Sequence, residues 1–152
     1  MLIALPDEAA TVAFARRLAP LIGAVDLITL AGDLGAGKTT LVRALLQALG
    51  HAGRVKSPTF TLLEPYEIAG RAIYHFDLYR LASPDELEYL GFADYRAPGA
   101  LCLIEWPERA AGWLEPADLQ LTLRYADEGG RWLEASAASV AGRAVLAQLG
   151  PD

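Results

Sequence analysis

The fold of this chain is decided by one stretch of sequence, Leu27-Ile28-Thr29-Leu30-Ala31-Gly32-Asp33-Leu34-Gly35-Ala36-Gly37-Lys38-Thr39-Thr40. Its apolar start, Leu27–Leu30, is typical of a buried parallel strand. Residues 32–39 fit the pattern G-x-x-x-x-G-K-[ST], and a helix is predicted over Thr39–Leu49, with Gly50 favouring its C-terminal end. The glycines let successive main-chain N–H groups converge on an anion, and the helix N-terminus directs its positive dipole end at the same point. The stretch therefore predicts a loop that binds the phosphates of a nucleotide.

Two side chains at the end of this loop have predicted roles in phosphate binding. Lys38 is one of only two lysines in the chain, the other being Lys56, and it is expected to reach the β- and γ-phosphates as a point charge. The hydroxyl of Thr39 is expected to ligate Mg²⁺. The competing interpretation is a glycine-rich turn between a strand and a helix that carries a surface lysine.

A second apolar run, Leu101–Ile104, predicts another buried strand and is followed directly by Glu105. Ligands in open α/β sheets bind at the carboxyl ends of the strands, so Glu105 is expected beside the loop. Glu105 is a candidate to hold Mg²⁺, directly or through water, or to orient the attacking water. A solvated residue at a strand end is the alternative.

A further carboxylate, Asp77, occurs within an aromatic strand. Alternation of side chains places His75, Asp77 and Tyr79 on one face of that strand. A buried carboxylate needs a partner, and two interpretations stay open: a second carboxylate near the Mg²⁺ or the attacking water, or an ion pair with an arginine such as Arg80. No third ligand accompanies His51 and His75 at metal-like spacing, so both histidines are interpreted as structural or surface residues.

Two more residues next to these motifs have open roles. Thr59 lies between the predicted loop helix and the next strand, where phosphate-loop switches carry a threonine that senses the γ-phosphate and Mg²⁺. A threonine at the start of a strand is also simply a favourable β residue. Trp106 follows Glu105, and a tryptophan in such a position is more often a packing or interface residue than a chemical one.

The alternation of strand-like and helix-like segments predicts an α/β fold of the three-layer, P-loop NTPase-like kind, with a mixed sheet and an antiparallel hairpin edge. All 152 residues are expected to form a single domain. The predicted elements outside the loop unit are a helix over 7–22, a strand pair over 59–66 and 72–79, a helix that starts at Ser83 with a capping box, a hairpin over 119–123 and 131–135 at one sheet edge, and a closing helix over 139–149.

The composition excludes several classes of protein. Hydrophobic residues make up 53% and charged residues 21%, which excludes a disordered chain. With 13 Lys+Arg against 19 Asp+Glu the net charge is −6, which argues against a DNA-binding protein or any sequence-independent nucleic-acid binder. The single cysteine, Cys102, excludes an internal disulfide. The apolar start, Met1–Leu5, is too short for a signal or membrane segment, so a cytoplasmic protein without membrane attachment is expected.

The type of nucleotide and reaction is narrowed by two absences in the sequence. The chain has no asparagine, which excludes the Asn-Lys-x-Asp motif that usually reads guanine in GTPases. Its eleven arginines are scattered, whereas a small-molecule kinase needs an arginine-rich lid over the phosphates. An ATPase or nucleotide switch is favoured; a metabolite kinase and a nucleotide-gated binding module without turnover are the alternatives.

Three further motifs accompany the loop: Lys56-Ser57-Pro58-Thr59-Phe60-Thr61-Leu62, His75-Phe76-Asp77-Leu78-Tyr79-Arg80-Leu81 and Ile104-Glu105-Trp106-Pro107-Glu108. At these separations the set resembles one family, bacterial TsaE, also called YjeE. The resemblance extends from about residue 5 to residue 137 and includes the opening segment Leu5–Thr11.

The resemblance implies a P-loop ATPase that binds ATP and Mg²⁺ and serves tRNA modification. Members of the family act with two partner proteins, TsaB and TsaD. TsaD transfers a threonylcarbamoyl group to the adenosine next to the anticodon, while TsaE hydrolyses ATP in support of turnover. Contact with tRNA would then be indirect, which suits the negative charge of this chain.

Carried over by position, the resemblance also implies roles for individual residues. Lys38, Asp77 and Glu105 are expected to be catalytic, and Thr39 and Glu105 are expected to ligate Mg²⁺. The residues expected to bind the nucleotide are Glu8, Thr11, Asp33, Leu34, Gly35, Ala36, Gly37, Lys38, Thr39, Thr40, Thr59 and Trp106. Within this set, Glu8 and Thr11 are expected near the adenine, Thr59 is the switch-like sensor, and Trp106 is expected at the nucleotide or partner contact.

Overall fold

A single mixed β-sheet of seven strands forms the centre of the computed structural model, which describes residues 1–150. The strands, in chain order, are β1 (Leu2–Leu5), β2 (Leu27–Gly32), β3 (Leu63–Ile68), β4 (Arg71–Asp77), β5 (Leu101–Glu105), β6 (Leu119–Tyr125) and β7 (Arg131–Ala137). Their order across the sheet is β1-β7-β6-β2-β5-β4-β3. Strands β6, β2, β5 and β4 are parallel neighbours, and the outer pairs are antiparallel.

Helices cover both faces of this sheet, which confirms the three-layer α/β architecture. The helices are α1 (Glu8–Leu18), α2 (Lys38–Leu49), α3 (Asp85–Leu90), α4 (Phe92–Tyr95) and α5 (Val140–Leu149). Phe14 of α1, Leu45 of α2 and Val145 of α5 belong to one apolar cluster. Leu87 of α3 belongs to a second cluster, against which Phe92 of α4 packs. Two cores on opposite faces therefore hold the central strands.

The strand β1 was not predicted, and it changes the position of one hairpin. Four residues are too few to show a period, so the sequence alone does not identify Leu2–Leu5 as a strand. The strand pairs antiparallel with β7, with Leu2 opposite Glu134 and Leu5 opposite Arg131. The β6–β7 hairpin therefore lies one strand inside the sheet edge, contrary to the prediction, while the β3–β4 hairpin forms the opposite edge.

The β3–β4 hairpin is shifted along the chain from its predicted limits. Residues 59–62 form a turn instead of the start of a strand. Leu62 has a φ of 65°, which bends the chain there, and its carbonyl accepts from the main-chain N–H of Asp77 at 3.0 Å. Strand β4 ends at Asp77, so Tyr79 does not share a strand face with His75 and Asp77 as alternation predicted.

The predicted helix over 7–22 is shorter in the structure, and its beginning is well defined. The Asp7 side chain caps α1 by accepting from Ala10 N at 2.8 Å. The α-helix ends at Leu18, and a 3₁₀ turn over Ala19–Leu21 follows, with Pro20 within it. The helix α2 begins at Lys38 and ends at Leu49, and the C-cap residue Gly50 has a φ of 118°, which favours glycine.

The parallel register brings the ends of the central strands together. Leu30 of β2 lies opposite Glu105 of β5, and Asp77 of β4 lies opposite the same Glu105. The loop that follows β2 therefore emerges beside two carboxylates, as the position of Glu105 after an apolar run predicted.

No helix within residues 1–150 has the length and apolar character that a membrane crossing requires.

Asp118 fixes the opposite end of β2. Its Oδ2 accepts from the main-chain N–H groups of Asp26 at 2.8 Å and of Leu27 at 3.0 Å. Burial alone would raise the pKa of Asp118, but hydrogen bonds from the Ser139 hydroxyl and from these two amides outweigh it and hold the pKa below its usual 3.8. The ionised carboxylate is therefore the form that the fold favours.

We expect Asp118→Ala to lower the free energy of unfolding by about 1–3 kcal/mol, because two amides at the start of a central strand lose their acceptor. Asp118 has a lower pKa in the folded state, so its contribution is present above pH 3.8 and is lost as the pH falls below that value. Denaturant titration at several pH values measures this. Asp127→Ala, in an exposed turn, is the control; equal effects of the two variants would contradict the assignment.

Candidate functional site

The glycine-rich loop over residues 32–37 joins a buried strand to a helix, as its sequence predicts. It connects β2 to α2, and Gly32 at its start has a φ of 142°. A Cβ at Gly32 would lie only 2.4 Å from the main-chain oxygen of Leu123 on β6, so no other residue fits there. At the other end, Gly37 precedes α2 as its N-cap residue, and its carbonyl accepts from Leu41 N at 2.9 Å. The N–H groups of the first helical turn have no partner within the helix.

The ammonium group of Lys38 lies at the base of this loop. The side chain is 4% exposed, and its Nζ donates to the carbonyls of Gly32 at 2.5 Å and Asp33 at 2.9 Å. The same Nζ is 4.1 Å from the centre of the Trp106 ring. Burial lowers the pKa of Lys38, and the negative charge of Glu105 opposes that shift. The competing interpretation of Lys38 as a surface lysine is therefore wrong.

Thr39 and Glu105 are in direct contact. Thr39 Oγ1 donates towards the Glu105 carboxylate, 2.9 Å from Oε1 and 3.1 Å from Oε2. Glu105 is 2% exposed, which excludes the solvated strand end. On its other side, Oε2 lies 2.6 Å from Nε2 of the fully buried His75. A hydroxyl from the loop helix and an imidazole from β4 thus hold the carboxylate of β5 in place.

Asp77 lies on the next strand beside Glu105. Its side chain is 8% exposed, and Oδ1 accepts from the main-chain N–H of Tyr79 at 3.0 Å. Burial raises the pKa of Asp77, and the charge of Glu105 acts in the same direction. Arg80 is exposed and places its guanidinium 4.7 Å from the centre of the Phe60 ring, so it belongs to the surface and not to a buried pair with Asp77.

Trp106 turns the chain at the end of β5. Its φ of 58° is in the left-handed region, which is unusual for a tryptophan, and it precedes Pro107. This backbone places the indole over Lys38 and 5.0 Å from the ring of Tyr79. Trp106 therefore packs, as predicted, and it does so beside the loop, because its ring covers the buried ammonium of Lys38.

Two cavities flank the loop and contain nearly all of the predicted site residues. The first, of about 280 Å³, is lined by Leu34, Gly35, Gly37, Lys38, Thr39, Thr40, Thr59, Asp77, Tyr79, Glu105 and Trp106. The second, of about 300 Å³, is lined among others by Glu8, Thr11, Ala36 and Arg131, and it shares Gly35, Gly37 and Thr40 with the first. Asp33 lines neither; its side chain is exposed, and it contributes through its carbonyl, which accepts from Lys38.

His75 is the residue of this cluster that the sequence did not assign to the site. Its position two residues before Asp77 was visible as a shared strand face, but the pairing of β4 with β5 is what sets it against Glu105. Within residues 1–150, no group of three or more His, Cys, Asp or Glu side chains is placed to hold a metal ion. A cation at Glu105 would therefore take its other ligands from hydroxyl, phosphate or water oxygens.

A central parallel strand, a glycine-rich loop, a buried lysine at its base and a carboxylate on the neighbouring strand together define a P-loop NTPase-like α/β protein. The sequence model of the TsaE family, described as "Threonylcarbamoyl adenosine biosynthesis protein TsaE", matches residues 5–133. The chain belongs to this family, which confirms the resemblance of its motifs.

Individual relatives agree with the family assignment. The chain is 49% identical over 129 residues to the tRNA threonylcarbamoyladenosine biosynthesis protein TsaE of Haemophilus influenzae, covering 82% of each chain. It is 37% identical over 126 residues to the protein of the same name from Bacillus subtilis, covering 83% of this chain and 77% of the relative. The crystal structure of YdiB from Bacillus subtilis superimposes with a TM-score of 0.83 at 28% identity and covers 98% of this chain and 93% of that one.

We expect Asp77→Asn to raise the free energy of unfolding at pH 7. Because the pKa of Asp77 is raised in the folded protein, ionising its buried carboxylate destabilises the fold above that pKa, and the penalty disappears as the pH falls towards 3.8. The asparagine keeps an acceptor for the Tyr79 amide and carries no charge. Thermal unfolding of both proteins between pH 4 and pH 8 measures the difference, with exposed Asp94→Asn as the control. If Asp77→Asn became more stable relative to the wild type as the pH falls, the raised pKa assigned to Asp77 would be contradicted.

Proposed function

We propose that this protein binds ATP with Mg²⁺ and hydrolyses it in support of threonylcarbamoyladenosine formation on tRNA, in association with partners of the TsaB and TsaD type. The observation that carries the proposal is the contact between the Thr39 hydroxyl and the Glu105 carboxylate beside the Lys38 ammonium, in one cavity at the loop. The family membership and the names of the relatives support the pathway.

The two cavities suit the two ends of a nucleotide. The main-chain N–H groups of Gly35 and of residues 37–40, together with the ammonium of Lys38, would hold the phosphates, since the helix N-terminus and the lysine are both positive. The cavity on the other side of the loop, with Glu8 and Thr11 on its wall, would take the adenosine. Gly35, Gly37 and Thr40 line both cavities, so one molecule could occupy them together.

Thr39 and Glu105 fit a magnesium site. Mg²⁺ prefers oxygen ligands and is commonly bound by one or two protein groups together with phosphate and water oxygens. The hydroxyl and the carboxylate already converge, and the buried His75 keeps Glu105 from rotating away. Mg²⁺ bound here would neutralise charge on the β- and γ-phosphates.

Asp77 is the best placed group to orient the attacking water. Its Oδ1 is occupied by the Tyr79 amide, which leaves Oδ2 to accept a hydrogen bond, and later a proton, from water in the cavity. The raised pKa of its carboxyl makes the carboxylate a stronger base than an exposed aspartate. Lys38 would stabilise the charge that develops on the phosphate oxygens during cleavage of the terminal P–O bond.

The segment Ser57–Thr61 connects the cavity to the surface. Thr59 lines the cavity, and its Oγ1 lies 2.7 Å from the Ser57 hydroxyl. The next residue, Phe60, is 84% exposed. A change at Thr59 on binding or loss of the γ-phosphate would therefore alter the exposed position of Phe60. This segment is the part of the surface that we propose for contact with the partner proteins, which would in turn carry the tRNA.

We expect Lys38→Ala to abolish ATP hydrolysis and to weaken binding of ADP with Mg²⁺ at least tenfold, because the charge on the phosphates loses its main partner. Isothermal titration calorimetry and phosphate release measure the two effects. Arg43→Ala, which removes an exposed charge from the same helix, is the control. Unchanged turnover in Lys38→Ala would contradict the phosphate assignment.

The same assays separate the proposal from its alternatives. Nucleotide binding without phosphate release, with and without the TsaB and TsaD type proteins, would identify a nucleotide-gated binding module. Phosphate loss that requires an added metabolite would identify a kinase.

We expect Phe60→Ala to weaken association with the TsaB–TsaD pair at least tenfold while leaving the affinity for ADP within about twofold of the wild type, since exposed aromatic residues dominate binding energies at interfaces. Pull-down with purified partners, with and without ATP, measures the association. Tyr89→Ala, at a residue that is 91% exposed on α3, is the matched control. An equal loss in both variants, or no loss in Phe60→Ala, would contradict the assignment.

A further inference from the structure

Two side chains of the β6–β7 hairpin hold the phosphate-binding loop from outside. The hydroxyl of Tyr125 donates to the carbonyl of Leu34 at 2.9 Å. The guanidinium of Arg131 donates through Nε to the carbonyl of Ala36 at 3.0 Å and through Nη2 to the carbonyl of Gly35 at 3.2 Å. Three consecutive carbonyls of the loop are therefore bonded to one hairpin.

The hairpin fixes both of these side chains before they reach the loop. Tyr125 and Arg131 lie opposite each other across the antiparallel pair. The guanidinium carbon is 4.2 Å from the centre of the Tyr125 ring, and Nη1 donates to the carbonyl of Gly130 at 2.8 Å. The loop is adapted to this approach: a Cβ at Gly35, where φ is 79°, would lie 2.9 Å from the Tyr125 hydroxyl.

Bonding these carbonyls determines where the amides point. A trans peptide is planar, so its carbonyl and its N–H point in opposite directions. The outward carbonyls of Leu34 and Ala36 therefore direct the N–H groups of Gly35 and Gly37 away from the hairpin, towards the inside of the loop. The remaining N–H, that of Ala36, donates to the carbonyl of Asp33 at 3.0 Å and closes the turn.

We propose that Tyr125 and Arg131 are positioning residues that set the loop amides for phosphate binding, and we name the pair the carbonyl clamp. The inference rests on the proposed nucleotide binding, but it concerns the conformation of the loop without a ligand. Arg131 also lines the cavity that contains Glu8 and Thr11, so its charge alone would attract the negatively charged nucleotide. The clamp also requires the forked guanidinium of Arg131, which donates to two carbonyls at once, and a lysine side chain has no such fork.

Tyr125→Phe and Arg131→Lys test the clamp, since the first removes one oxygen and the second keeps the charge but not the fork. Tyr89→Phe and Arg124→Lys are the matched controls: Tyr89 is 91% exposed, and the exposed Arg124 contacts Glu134 at 3.4 Å. Two measurements are made on the full chain: hydrogen exchange of the Ala36 amide, which is bonded to the Asp33 carbonyl, without nucleotide, and the Kd for ADP with Mg²⁺ by calorimetry.

We expect both clamp variants to exchange the hydrogen-bonded Ala36 amide faster than the wild type. We also expect them to bind ADP roughly tenfold more weakly, the factor that follows from losing a hydrogen bond of this kind. The controls should stay within about twofold in both measurements, and all four unfolding midpoints should agree closely. A residue with a merely general structural role would instead lower the unfolding midpoint and speed exchange throughout the chain.

Unchanged exchange of the Ala36 amide in both variants would overturn the clamp, whatever happens to affinity. Wild-type affinity and exchange in Arg131→Lys would also overturn it, because charge alone would then account for Arg131. A wild type that binds no ADP would contradict the proposed function and not the clamp, since the exchange measurement decides the clamp without any nucleotide.

Discussion

The site depends on one constraint of the peptide group: a loop whose N–H groups face an anion must turn its carbonyls the other way. A carbonyl left without a donor in a partly buried place is unfavourable. In this chain every main-chain carbonyl from Gly32 to Ala36 accepts a hydrogen bond from a side chain. Lys38 bonds those of Gly32 and Asp33, and the β6–β7 hairpin bonds the next three. The loop is thus held open by its own lysine on one side and by the sheet on the other.

Beside the loop, a cluster of ionisable groups lies at the end of a hydrophobic strand. Strand β5 is buried throughout, and its last residue is Glu105. Lys38, His75 and Asp77 are buried around it, and burial shifts the pKa values of Lys38 and Asp77 towards their neutral forms. Opposite charges and hydrogen bonds offset part of the desolvation, but not all of it. Such a cluster therefore lowers the stability of the fold, and shifted pKa values of this kind concentrate at functional sites.

The sequence predicted those features that depend on local pattern and failed on those that depend on packing. The apolar runs before Gly32 and before Glu105 identified two central parallel strands, and the rule that ligands bind at strand ends placed Glu105 by the loop. Strand β1 was missed because four residues show no period and its pairing with β7 is long-range. The contacts of His75 with Glu105 and of Arg131 with the loop were missed for the same reason: they join residues 30 and about 95 positions apart in the chain.

The site has more bonds to its surroundings on the β6 side of the loop than on the β4 side. This difference indicates which segment would move when a nucleotide binds. On the β6 side, the side chains of Tyr125 and Arg131 bond the hairpin to the loop. The hairpin turn also packs closely against the end of β1, since a Cβ at Gly130 would lie 2.8 Å from the carbonyl of Leu5. On the β4 side, residues 59–62 form a turn between α2 and β3. The turn is bonded to the sheet through the Leu62 carbonyl, which accepts from Asp77 N, and its other contacts include the Ser57–Thr59 hydroxyl pair and the Arg80 guanidinium over the exposed Phe60 ring. Fewer buried contacts mean a smaller free energy of local rearrangement. Under the proposed function, the clamped side therefore acts as a fixed support, and the γ-phosphate is read by movement of the segment that carries Thr59 and presents Phe60 at the surface.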